Sequence, residues 1–160
     1  MSAINVDEER QKNRQVLDEW IAKLFWDDGQ IDLVAPDGGT LEFKFPANRS
    51  PGGDKVKLAD AVVNLDGQFE EWIETPIEVF ETDDPTHFMI YFRLGYGRVS
   101  KLENLPLHES EFVLLYIIEN QKISLIREYF NPLQLLDAYG VDLPGVKLLE
   151  DEAVPEYPFY

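Results

Sequence analysis

At 160 residues, with 44% hydrophobic and 12% aromatic side chains, the chain has the length of one domain and a composition that folds. Its 14 Lys and Arg stand against 31 Asp and Glu; the resulting formal charge of −17 repels nucleic acid and anionic lipid and removes both as partners. There is no cysteine, which excludes disulfides, thiolate nucleophiles and any zinc site that uses sulfur.

The opening stretch MSAINVDEERQKNR is polar and lacks the apolar core of a signal peptide. With apolar runs such as residues 113–118 too short to span a bilayer, a soluble, cytoplasmic protein is expected. The spacing of Val16, Leu17, Trp20, Ile21, Leu24 and Phe25 predicts an amphipathic helix over residues 7–25, with Asn5 or Asp7 as its cap. Short strands are expected over 31–34 and 41–45, joined by the turn Asp37-Gly38-Gly39. Residues 46–53 read as a loop, because prolines and glycines break every period. A three-turn helix is expected over 54–65, with Val56, Leu58, Ala59, Val62 and Val63 on its apolar side.

From Trp72 onward the period becomes that of strands. Residues 73–82 and 87–94 flank the four-residue connection Asp83-Asp84-Pro85-Thr86, and 96–106 read as a loop. Strands 109–119 and 122–130 enclose Asn120-Gln121, the tightest hairpin signal in the chain. Pro132 opens a short helix that Gly140 stops, and 141–160 read as an extended, acidic, aromatic tail whose end, 154–160, is predicted to pack on a partner subunit or across a pocket mouth. Helices followed by a run of strands predict one α+β domain over 1–160: a curved antiparallel sheet of about four to six strands closing on the N-terminal helices into a cone-shaped barrel. Such a cone has a mouth suited to a small molecule.

A plain two-residue turn at 120–121 sets Val113 opposite Glu128 and Glu111 opposite Phe130. On this register Glu111 and Glu128 share one otherwise apolar face at roughly 5–8 Å. Desolvation and a like charge both raise a carboxyl's pKa, which suits Glu128 to general acid/base work near neutral pH, with Glu111 beside it. His87, at a turn, is expected to hold structure, whereas His108 enters the 109–119 strand where it could reach the pocket mouth. No phosphate-binding glycine loop, nucleophile elbow or metal-ligand helix is present.

Three segments, KNR at 12–14, ETDDPTHF at 81–88 and REYFNPLQLL at 127–136, resemble the phenazine biosynthesis PhzA/PhzB proteins. These belong to the SnoaL-like group of the NTF2-like, or cystatin-cone, superfamily, and the likeness runs from about Glu9 to Pro155. The resemblance implies a cone-shaped α+β barrel, a homodimer formed across sheets, and acid/base assistance to the condensation of a small cyclic metabolite without a cofactor. It places Glu128 at the acidic position credited with that chemistry and His108 where a pocket tyrosine is expected. Two positions depart from the pattern: Ala61 stands in place of a pocket histidine and Leu65 in place of a pocket serine. Those losses leave a non-catalytic ligand-binding or interaction protein as the alternative to an enzyme.

Overall fold

The computed structural model describes residues 5–23, 28–44, 54–65, 69–99, 108–131, 133–134 and 140. The predicted loop at 46–53, the helix stop Asp66-Gly67, residues 100–107, most of the short helix after Pro132 and the tail 141–160 lie outside the described residues, as do Leu24 and Phe25.

Helix α1 spans Val6–Ala22; Asn5 caps it, its Oδ1 accepting the backbone N–H of Asp7 at 3.2 Å. Asp7, Glu8 and Glu9 in the first turn complement the positive end of the helix dipole. Leu17 and Trp20 are buried, as the apolar stripe requires. Buried Asn13 donates through Nδ2 to the Pro85 carbonyl at 3.2 Å, tying the helix to the turn between two strands.

Two expectations in the next segment are corrected. Residues 28–33 form a 3-10 helix (Asp28–Leu33), and only Val34 makes a bridge, parallel to Ile123. Buried Gln30 donates through Nε2 to the Trp20 carbonyl at 3.1 Å, so a tertiary contact overrides the apolar alternation of Ile31 and Leu33. The predicted helix 54–65 divides into strand β2 (Asp54–Lys57) and helix α2 (Leu58–Leu65). Strand β1 (Thr40–Lys44) supplies the reason, since its free edge pairs with β2 from Thr40↔Lys57 to Phe43↔Asp54.

Strands β3 (Phe69–Glu81), β4 (His87–Val99), β5 (His108–Glu119) and β6 (Lys122–Tyr129) complete one curved sheet in the order β2-β1-β6-β5-β4-β3. The hairpins at 83–86 and 120–121 stand as expected, while β4 runs on through residues 96–99, where glycines predict loop. The expected antiparallel sheet is mixed: β1 joins β6 in parallel, from Thr40↔Leu125 to Lys44↔Tyr129. Among the described residues no helix is long and apolar enough to cross a membrane.

One face of this sheet meets the helices. Phe88, Ile90 and Phe92 of β4, Phe112, Leu114, Tyr116 and Ile118 of β5, and Ile123 and Ile126 of β6 are buried there with Leu41, Leu17 and Trp20. Trp20 meets Tyr116 edge-on with ring centroids 6.4 Å apart, which docks α1 on β5.

Candidate functional site

The β5–β6 hairpin determines which side chains share the covered face. Asn120 and Gln121 have φ of 51° and 61°, as a tight hairpin turn of mirror-image type requires. Glu119 opposes Lys122 and Ile118 opposes Ile123, as expected. The register then slips, because Ile117 opposes Leu125 and Ser124 is left as an extra residue. The Ser124 hydroxyl donates to the Ile117 carbonyl at 3.2 Å across this bulge.

The bulge corrects the expected pairing of carboxylates. Glu128 opposes Leu114 rather than Val113, and Glu111 stands on the other face of the sheet. Glu111 is exposed and accepts a hydrogen bond from the Tyr91 hydroxyl at 3.2 Å. Glu128 is buried at 7% exposure on the helix-covered face. The two carboxylates therefore do not form a pair.

Around Glu128 the face is apolar and aromatic. Phe43 of β1 and Leu114 of β5 are its in-register neighbours, and Ile126 on β6 and Phe130 just past its end lie two residues away along the chain. Phe130 contacts Phe112 at 5.3 Å and Phe43 at 6.2 Å between centroids, and Phe112 meets Phe92 edge-on at 6.2 Å. Four rings thus run from β1 past the end of β6 to β5 and β4 beside one carboxyl group. The strand alternation of Phe43, Phe92 and Phe112 is visible in the sequence, but only the pairing of the strands brings the rings into one band.

Ala61 is buried on α2 beside Leu58 and Val62, and α2 packs on the 3-10 helix, β1 and β2. His108 opens β5 opposite Gly97, and Leu65 closes α2; both side chains lie outside the described ones. His87 sits at the β3–β4 turn, with Nδ1 2.9 Å from the Thr86 hydroxyl and 3.4 Å from Asp84. Among the described residues no group of His, Asp and Glu is placed to hold a metal ion. A separate groove beside α1 is lined by Asp7, Arg10, Gln11, Arg14, Gln15, Asp18 and Glu81, a charged and open surface unlike the ring-lined face.

One row away from Glu128, on the outer face, lies a second acidic residue that no local sequence pattern singles out. Glu42 has a side chain only 3% exposed and is held by three cations from three strands. Its oxygens lie 2.5 Å from Arg127 Nε on β6, 2.8 Å from Lys44 Nζ on β1 and 3.4 Å from Lys55 Nζ on β2. Burial pushes the Glu42 carboxyl up, but the hydrogen bonds and charges of Lys44 and Arg127 outweigh it and hold the pKa at about 2. The same hydrogen bond from Arg127 to Glu42 raises the guanidinium's pKa further.

Comparison with known proteins follows the same outline. Residues 6–155 match the family model described as phenazine biosynthesis protein A/B. Phenazine biosynthesis protein PhzA of Pseudomonas fluorescens is 30% identical over 146 residues, covering 86% of each chain. PhzB of the same organism is 29% identical over 150 residues, also covering 86% of each. The crystal structure of the phenazine biosynthesis-related protein PhzB2 from Pseudomonas aeruginosa superposes with a TM-score of 0.69 at 26% identity, covering 94% of this chain and 97% of that one. A Catenulispora acidiphila protein described as having a ketosteroid isomerase-like fold superposes at 0.57 with 15% identity, covering 79% and 93%, a likeness of fold alone.

Proposed function

The chain belongs to the phenazine biosynthesis protein A/B family, and on that premise we propose that it takes up a small ring compound against the aromatic band, with Glu128 as general acid/base. The observation that carries this reading is the burial of Glu128 in a row of apolar side chains between Phe43 and Leu114. Aromatic walls bind a planar ring through offset or edge contacts, and a carboxyl in apolar surroundings is favoured in its neutral form. It then donates a proton to a ring carbonyl and takes one back from carbon or nitrogen. Neither metal nor organic cofactor enters this scheme.

A specific observation favours a second reading, a binding protein without turnover. Ala61, where the family resemblance implies a histidine, is buried and carries no group that moves a proton. The Glu128→Gln variant tests both. On the acid/base reading the charged form of Glu128 is the costly one to bury, so the variant should gain stability over the parent at pH 8 and less at pH 5. Ring binding is read as the thermal shift given by 3-oxocyclohex-1-ene-1-carboxylate. A variant that matches the parent at both pH values with the same thermal shift sinks the acid/base role. One that loses stability mainly at pH 8 makes Glu128 a partnered charge and sinks it equally. Binding by both forms, with no chemical change of the ring compound by the parent, decides for the binding protein.

Assembly belongs to the same proposal. On the outer face Phe80, Met89 and Tyr129 are 49%, 39% and 45% exposed, flanking half-buried Val113, Leu115 and Ile117. A contiguous apolar strip of this kind marks a protein interface, and the reading is a homodimer joined across sheets. Sedimentation at micromolar concentration should give twice the chain mass; monomer alone would count against it.

A further inference from the structure

Glu42 and Glu128 occupy adjacent rows of the same sheet and point to opposite faces. The outer row runs Lys55, Glu42, Arg127, Leu115 and Met89 across β2, β1, β6, β5 and β4. The next row places Phe43, Glu128, Leu114 and Ile90 on the covered face. What aligns Phe43 with Glu128 is the parallel pairing of β1 with β6, only five residue pairs long and made between segments some eighty residues apart in sequence. Apolar alternation alone does not fix it. A slip by two residues would keep every apolar side chain on its proper face, setting Phe43 against Ile126 or Phe130.

A slip of that kind is what the outer row forbids. It would set Glu42 opposite Leu125 or Tyr129 and strip the nearly buried carboxylate of the arginine on β6, leaving it only Lys44 and Lys55 of β1 and β2 in a poorly solvated place. In some proteins a buried ion pair serves the choice of one register over its neighbours more than net stability. Three cations from three strands converge on this carboxylate, and no other described side chain ties β2, β1 and β6 together by ion pairs.

We propose that Glu42, through Arg127, is the positioning residue that holds β1 in register and so sets the ring-lined surroundings of Glu128. This rests on the reading of Glu128 as the functional carboxyl. Glu42 faces away from the band and touches nothing bound there; its action is to place Phe43 beside Glu128.

The test is the Glu42→Gln variant of the full chain, with two readouts below its melting temperature. The first is the carbon-13 titration of the Glu128 side-chain carboxyl. The second is the dissociation constant for 3-oxocyclohex-1-ene-1-carboxylate. The control is Arg14→Gln, which removes the ion pairs of α1 with Asp18 on the same helix and with Glu81 at the end of β3, and touches none of β2, β1 and β6. In Glu42→Gln the Glu128 titration should move by about half a unit or more and binding should weaken by roughly three- to tenfold, the coupling usual between contacting groups. The control should change neither. A Glu42→Gln variant that melts earlier but keeps the parent's titration and binding constant overturns the proposal, leaving an ordinary stabilising ion pair. If that variant does not fold, Glu42→Gln/Arg127→Gln, which leaves neither charge buried alone, is judged on the same readouts. If the parent does not bind the ring compound, the ring-binding reading fails while the Glu128 titration still decides the positioning role.

Discussion

Acidification removes a contribution that the Glu42 ion pairs make to this fold. With a folded pKa of about 2 against 4.5 for the free group, its contribution to stability is complete above about pH 5 and is lost as pH falls through the folded value. The distance between those two values sets a ceiling of about 3 kcal/mol. Water reaches the partners, however: Lys44, Arg127 and Lys55 are 29%, 31% and 59% exposed, and screening reduces the figure to about 1–2 kcal/mol. The groups that face the carboxylate are those three cations, with the Tyr129 phenol beside Arg127. The assay is urea unfolding of the parent and of Glu42→Gln at pH 7 and at pH 2.5. Other carboxylates titrate in both proteins, so the informative quantity is the difference between them. The parent should be more stable by about 1–2 kcal/mol at pH 7, and most of that advantage should vanish at pH 2.5. An advantage that stays constant with pH would refute the ion-pair account and assign the effect to packing.

Two backbone positions give independent expectations. Gln121 holds φ of 61° in the β5–β6 turn, so Gln121→Gly should relieve left-handed strain and stabilise by about 0.5–1 kcal/mol in thermal or urea melts. Gly39 has φ of +54°, and a Cβ there would stand 3.0 Å from the Ile123 carbonyl oxygen and 3.2 Å from Val34 Cγ1. Gly39→Ala should therefore destabilise by about 2 kcal/mol or more; an unchanged melting temperature would show that the β1 entry is free to shift.

Several elements are legible in local sequence patterns. The cap at Asn5, the stripe through Leu17 and Trp20, and both β-turns rest on short-range rules of capping, periodicity and turn chemistry, and these stand. Glu128 is also legible as a buried residue, because Ile126, Glu128 and Phe130 alternate cleanly on β6. Its companions are not. The bulge at Ser124 interrupts the period between Ile123 and Ile126, and with Leu125 apolar as well, the sequence accommodates either register.

The sequence by itself determined the kind of chain this is: an α+β fold, acidic, thiol-free, with helices that precede strands and a hairpin that buries a carboxyl. Tertiary structure alone decided which carboxylates meet which neighbours. It put residues 54–57 on the edge of β1, turned 28–33 into a 3-10 helix under Trp20, and separated Glu111 from Glu128. It also joined Glu42 to Arg127 across 85 positions of sequence. The physical reason is range: caps, turns and periodicity are properties of a few neighbouring residues, whereas a parallel strand pair is fixed by burial and charge summed over segments that meet only after the sheet has formed.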